Sequence, residues 1–86
     1  MIRVYQIVEE NGKIPVQFSS KANSVEGVFR SFAKMHSQLL VVGVIYYLYV
    51  RINFGYGKIA AAYWNGKSFV KVACKTSIEN PFANEV

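Results

Sequence analysis

Cysteine and aspartate are nearly absent from this chain of 86 residues, and their scarcity excludes several kinds of site. Cys74 is the single cysteine, so the chain can form neither an internal disulfide nor a zinc site built from several cysteines. All five acidic residues are glutamates, so no aspartate is available to orient the single histidine, His36, as a general base. We therefore expect no enzyme activity, no metal and no cofactor.

Long hydrophobic runs and targeting segments are also lacking. Residues 39–50 are uncharged, but the stretch is shorter than the roughly 20 apolar residues that a membrane-spanning helix needs. Its content of Val, Ile and Tyr is typical of a β-strand. The N-terminal residues lack the apolar segment of a signal peptide. Together with the single thiol, which fits a reducing compartment, these features predict a cytoplasmic protein without a membrane segment.

Charged residues make up only 17% of the chain, and they are unbalanced. Ten Lys and Arg against five Glu give a net charge of +5. Such a charge attracts anionic partners at long range, although it also serves simply to keep a small protein soluble. The basic residues are dispersed, so the sequence predicts no basic tail.

The secondary structure follows from alternation and turn signals, and it predicts one domain over residues 1–75 with a tail over residues 76–86. Residues 2–9 and 14–19 alternate on either side of Asn11-Gly12, which predicts a hairpin whose second strand is an edge strand because it contains Pro15. A helix is expected over residues 24–37 with Asn23 as its N-cap. Three strands follow, over residues 38–53, 59–64 and 68–75, with turns at residues 54–58 and at Asn65-Gly66.

This order, ββαβββ, predicts an α+β fold in which a single five-stranded, mostly antiparallel sheet carries one helix on one face. A single helix covers only one side of a sheet, so the opposite face should be open. In the central strand, alternation directs six residues toward the helix, namely Val44, Tyr46, Leu48, Val50, Ile52 and Phe54. Tyr47, Tyr49 and Arg51 then form the centre of the opposite face.

The predicted open face is the candidate binding site. Its members combine aromatic and basic side chains, and they are Arg3, Tyr5, Tyr47, Tyr49, Arg51, Phe69, Lys71 and Lys75. Loop residues Tyr56, Lys58, Trp64 and Lys67 are candidates for further contacts. Such a face suits stacking on bases with contacts to phosphates, and it suits a protein partner equally. The third alternative is that the tail or a symmetric dimer mate covers it.

The last hairpin carries a resemblance to a known family. Residues 62–74 read Ala-Tyr-Trp-Asn-Gly-Lys-Ser-Phe-Val-Lys-Val-Ala-Cys, and with the ββαβββ order they resemble small anti-CRISPR proteins of phages and mobile elements. In one inhibitor of type I systems, a similar hairpin closes a five-stranded sheet. The resemblance implies a cytoplasmic, non-enzymatic inhibitor that docks on an RNA-guided surveillance complex. It transfers no individual contact residue.

A second, local resemblance lies in residues 39–52, which are similar to the stretch of cystatins around their Gln-x-Val-x-Gly hairpin. Val41 and Gly43 match this motif, whereas Leu39 stands in place of the glutamine. This resemblance implies an inhibitor of cysteine proteases. The leading expectation is therefore a small basic binding protein that inhibits a nucleoprotein complex through the open face. Direct binding of single-stranded nucleic acid and protease inhibition are the alternatives.

Overall fold

Five β-strands and one α-helix follow one another in the predicted order. The computed structural model describes residues 2–12 and 15–82. The elements are β1 (Arg3–Glu9), β2 (Val16–Ser20), α1 (Val25–His36), a 3₁₀ turn (Ser37–Leu39), β3 (Ile45–Ile52), β4 (Gly55–Trp64) and β5 (Phe69–Val72). All strand pairs are antiparallel, in the sheet order β2-β1-β3-β4-β5. The predicted α+β fold is confirmed, while Ile14 and the predicted tail residues 83–86 lie outside the described residues.

Helix α1 begins one residue later than the sequence pattern predicted. The N-cap is Ser24, whose hydroxyl oxygen accepts a hydrogen bond from the backbone N–H of Gly27 at 3.1 Å. This bond satisfies one of the N–H groups that the first turn of a helix leaves without an internal partner. The prediction of Asn23 as the cap is therefore wrong by one position.

The core lies between the apolar stripe of α1 and one face of the sheet. The stripe consists of Val25, Val28, Phe29 and Phe32, all buried. The sheet contributes Tyr5, Ile7, Phe18, Tyr46, Leu48, Val50, Ile59, Ala60 and Ala62. Burying each large apolar side chain stabilises the fold by roughly 1.5–3 kcal/mol.

The segment before β3 is a loop rather than the first half of a long strand. The Tyr46 hydroxyl accepts a hydrogen bond from the backbone N–H of Val41 at 2.8 Å. Gly43 has a φ of +85°, which favours glycine, and its N–H donates to the carbonyl of Trp64 at 2.7 Å. These bonds tie the loop to β3 and β4, and β3 begins only at Ile45.

The turn between β3 and β4 contains two residues, so the prediction of a turn over residues 54–58 is wrong. Ile52 pairs with Gly55, which leaves Asn53 and Phe54 in the turn. A β-bulge lies further along β4, where Leu48 pairs with Ala60 but Tyr49 pairs with Lys58. The extra residue at position 59 is buried in the core together with Ala60. Strict alternation therefore fails within β4.

The C-terminal segment returns along β4 and packs on the side of the sheet that faces the helix. Ser77 donates its backbone N–H to the carbonyl of Lys58 at 3.0 Å and accepts the Lys58 N–H on its hydroxyl at 2.7 Å. Ile78 and Phe82 pack against the core cluster. As far as Phe82, the segment therefore does not cover the opposite face of the sheet.

Gly57 makes the close approach of Ile78 sterically allowed, because a Cβ atom built at Gly57 would lie 2.7 Å from three atoms of the Ile78 side chain. We predict that Gly57→Ala lowers the free energy of unfolding by about 1–3 kcal/mol, the range for overpacking. Ile78→Ala removes the clash, so the double variant should be less destabilised than the sum of the single variants. Urea unfolding of all four proteins measures this coupling. Strictly additive effects would contradict the contact.

Candidate functional site: the open sheet face

The face of the sheet opposite α1 is the candidate site, and strand register defines it. Tyr49 of β3 lies between Gln6 of β1 and Lys58 of β4, and Tyr47 lies between Val8 and Ala61. We call this surface the open face. Following the same pairing along every strand, it comprises Val4, Gln6, Val8, Gln17, Ser19, Ile45, Tyr47, Tyr49, Arg51, Tyr56, Lys58, Ala61, Tyr63, Val70 and Val72.

Tyrosines and branched aliphatic residues dominate the open face. Four of the six tyrosines of the chain lie on it, at positions 47, 49, 56 and 63, and each is partly exposed. Ala61 at its centre is only 1% exposed, since it lies between the larger side chains of its cross-strand partners Tyr47 and Val72. Arg51 and Lys58 are its charged residues among the described part of the chain. The surface is therefore apolar and aromatic, with a small positive charge.

Two contacts hold side chains in place on this face. The Lys58 ammonium lies 5.0 Å from the centre of the Tyr47 ring, within the range of a cation–π interaction. The Tyr56 hydroxyl donates a hydrogen bond to the side-chain oxygen of Gln17 at 3.1 Å. Because β1 and β3 separate the strands of these two residues, the Tyr56 and Gln17 side chains must lie across the face. Such contacts reduce the conformational entropy that a binding surface loses when a partner docks.

Tyr47, Tyr49 and Arg51 lie on the open face as predicted, but Tyr5 does not. Tyr5 is 0% exposed and pairs with Val50, a core residue of β3. Strand β1 is apolar on both faces, so alternation alone could not decide which face is buried. Pairing with β3 decides it: Tyr5 and Ile7 face the helix, while Val4 and Val8 face outward.

Phe69 and Lys71 were also predicted on the wrong face. The hairpin pairs Trp64 with Phe69, which places Phe69 on the helix side of the sheet. Its ring lies 4.8 Å from that of Phe29 and 5.1 Å from that of Trp64. Two residues further along, the Lys71 ammonium forms an ion pair with Glu26 of α1 at 3.3 Å. Val70 and Val72 therefore take the outward positions in β5.

The other residues predicted to contact a partner lie in several different parts of the fold. Arg3 lies on the helix side, with its guanidinium 4.9 Å from the centre of the Phe82 ring. Lys75 is exposed beyond the end of β5. Trp64 packs at the edge of the core, and Lys67 is exposed in the β4–β5 turn. Tyr56 and Lys58, predicted in a loop, belong to β4 and lie on the open face.

Phe54 is the functional candidate that sequence reasoning assigned to the core. Its side chain is 100% exposed, and that of Ile52 is 41% exposed. Alternation predicted both toward the helix, but β3 ends at Ile52 and Phe54 lies in the turn that follows. The signal in the sequence was that residue 54 also begins the predicted turn over residues 54–58, which conflicts with its assignment to the core.

Other reactive groups do not come together in the described residues. No set of three or more His, Cys, Asp or Glu residues in ranges 2–12 and 15–82 is arranged to hold a metal ion. The His36 ring packs 5.1 Å from Phe32 at the end of α1, and Cys74 is partly buried. Within the same ranges, no helix has the length and apolar character needed to cross a membrane.

Comparison of the chain with protein-family models, with curated proteins and with solved structures finds no match.

The pKa of Glu26 is lowered, first by a hydrogen bond with backbone at the start of α1, and further by Lys71 and Arg30, whereas partial burial opposes the shift. The ionised Glu26 carboxylate therefore stabilises the fold at pH values above the ordinary pKa of a glutamate. This contribution is lost as the pH falls through the lowered pKa of Glu26.

We predict that Glu26→Gln and Lys71→Gln each lower the free energy of unfolding by at most about 1 kcal/mol near pH 7, because both side chains are half exposed. The effects of the two substitutions on the free energy of unfolding should be non-additive. Acidification protonates Glu26, so at low pH the free energies of unfolding of wild type and Glu26→Gln should become equal. Lys75→Gln removes the same charge outside the pair and should add independently to Glu26→Gln. Urea unfolding at several pH values measures the free energies of unfolding of the single and double variants. Equal coupling of Glu26 to Lys75 and Lys71 would contradict the ion pair.

Proposed function

We propose that the chain is a non-enzymatic binding protein that docks on a protein partner through the open face. The observation that carries the proposal is the broad surface of tyrosine, valine and isoleucine that neither α1 nor the C-terminal segment covers as far as Phe82. Large apolar patches on small proteins often mark interaction sites. Tyrosine and arginine, both present here, are enriched among the residues that dominate protein interfaces.

The distribution of charge favours a protein over a nucleic acid at this surface. Of the four basic residues expected on the open face, only Arg51 lies there, and the second cation, Lys58, is already in contact with Tyr47. Binding to a nucleic-acid backbone draws most of its affinity from several Lys or Arg contacts to phosphates. Valines offer no flat ring for base stacking, but they do fill the apolar centre of a protein interface.

The same distribution indicates the charge of the partner. Within its strands, the open face carries Arg51 and Lys58 and no carboxylate, and Glu10 follows just beyond the end of β1, where its N–H donates to the carbonyl of Ile45. A second copy of the same face would bring like charges together, which weakens association. A partner surface with an apolar centre and acidic residues at its rim is complementary to this arrangement.

Phe54 extends the proposed interface at one end of the sheet. Its ring is fully exposed on a two-residue turn next to Arg51 and Tyr56, which face each other on the open side. Transfer of such a ring into an apolar pocket contributes roughly 1.5–3 kcal/mol. The short turn limits the conformational entropy lost when the ring is inserted. We propose that Phe54 is an anchor of the interface.

For the class of partner, we propose an RNA-guided surveillance complex of a type I system, with the chain acting as a mobile-element inhibitor. The ββαβββ order and the hairpin of residues 62–74 support this choice through their resemblance to anti-CRISPR proteins. A purified surveillance complex should therefore bind the chain and lose affinity for its target DNA.

One observation supports a second candidate, inhibition of cysteine proteases. The stretch similar to cystatins contains Val41 and Val42, which are 49% and 65% exposed, and this loop is bonded to Trp64 through Gly43. An exposed apolar loop beside a tryptophan hairpin could enter the cleft of a protease. Inhibition of a papain-like enzyme by the intact chain tests this candidate, and an unchanged protease rate would contradict it.

We predict that the Tyr49→Ala, Arg51→Ala double variant and the Phe54→Ala variant each bind the surveillance complex at least about tenfold more weakly than wild type, the effect of losing about 1.4 kcal/mol. Leu39→Ala, which changes an exposed residue in the turn after α1, and Lys75→Ala, which changes an exposed residue beyond the end of β5, serve as controls. Surface plasmon resonance measures the affinities, and circular dichroism verifies the fold. Unchanged binding by correctly folded open-face variants would contradict the proposed site.

A further inference from the structure

A groove on the helix side of the molecule brings three basic side chains together. It has a volume of about 510 Å³ and runs between the loop that follows β2 and the outer surface of α1. Lys21 lies on the loop side, while Arg30 and Lys34 lie on the helix side. All three residues are exposed. The groove is on the opposite side of the sheet from the open face.

No acidic residue lines this groove to balance its charge. Across the described ranges, none of the three cations forms an ion pair with a carboxylate. Glu26, one turn before Arg30, is paired with Lys71 in the neighbouring cleft between α1 and β5, which Arg30 also lines, and it does not line the groove. Three like charges around one concavity create a positive potential that favours an anion.

The loop that carries Lys21 is fixed against the helix by hydrogen bonds. The Ser20 hydroxyl accepts the backbone N–H of Ala22 at 3.1 Å and also contacts the Ser31 hydroxyl at 3.1 Å. A Cβ atom built at Gly27 would lie 2.9 Å from the Cβ of Ala22, so glycine allows the loop to approach this closely. The position of Lys21 relative to the helix is therefore set by the fold rather than by a mobile chain.

The arrangement fits an extended anion with repeated charges better than a single small ion. Arg30 and Lys34 are four residues apart on α1, which separates them by about 6 Å along the helix axis. Lys21 lines the same groove from the loop side, and the groove is open to solvent. The side chains of Asn23 and Ser24 at its end add groups that can donate hydrogen bonds. Phosphate oxygens in nucleic-acid complexes commonly accept from Lys, Arg, Ser and Asn.

We propose that this groove binds the phosphodiester backbone of a nucleic acid without reading its sequence. The site is separate from the open face and does not depend on the function proposed for that face. It would allow the chain to contact protein and nucleic acid at the same time, on opposite sides of its sheet. No base stacking is expected, since no aromatic residue lines the groove.

The test is binding of a fluorescently labelled single-stranded DNA oligonucleotide, followed by anisotropy over about 50–200 mM salt. The triple variant Lys21→Gln, Arg30→Gln, Lys34→Gln is compared with a control triple variant, Arg51→Gln, Lys58→Gln, Lys75→Gln. Both lose three positive charges, so they have the same net charge. Thermal unfolding of each variant verifies that it is folded.

We expect the groove variant to bind at least about tenfold more weakly than wild type at low salt, with the control much less affected. The slope of log K against log salt should fall by about 2 in the groove variant, since each neutralised phosphate of a single strand contributes about 0.7. Equal losses in both variants would overturn the proposal, because they would reflect net charge alone. A larger loss in the control, or no binding by wild type at the lowest salt, would overturn it as well.

Discussion

The pairing of β3 with both of its neighbours is the constraint on which the rest of the structure depends. Strand β3 lies at the centre of the sheet, and its register with β1 and β4 decides which side chains face α1. Tyr46, Leu48 and Val50 enter the core, so Tyr47 and Tyr49 must point the other way. A shift by one residue would exchange the two sets and leave the helix stripe against the polar edges of the tyrosines.

The order of elements and the two faces of β3 could be predicted from the sequence, because turn signals at Asn-Gly pairs and strict alternation agree there. The faces of β1 and β5 could not, since both strands carry apolar residues on each side and only pairing with β3 and β4 decides between them. For this reason Tyr5 and Phe69 were predicted on the open face, although both lie on the helix side. The bulge at Ile59 and the exposed position of Phe54 depend on where neighbouring strands end, which local pattern does not encode.

Correcting these faces changes the chemistry of the candidate site. With Arg3 and Lys71 on the helix side, the open face becomes a surface of tyrosines and branched aliphatic residues. Positive charge is concentrated on the opposite side instead, where Lys21, Arg30 and Lys34 surround a groove. We therefore propose different partners for the two sides: an apolar protein surface with an acidic rim for the open face, and an anionic polymer for the groove.

One face of the sheet is core and the other is accessible surface, and nitration of the tyrosines distinguishes the two faces in the folded protein. Native protein is treated with tetranitromethane, and the modified residues are identified by mass spectrometry. We expect modification at Tyr47, Tyr49, Tyr56 and Tyr63. Tyr5 and Tyr46, which are 0% and 3% exposed, should be protected until the chain unfolds. Modification of Tyr5 in the folded protein, or protection of Tyr47 and Tyr49 equal to that of Tyr5, would contradict this assignment of the two faces.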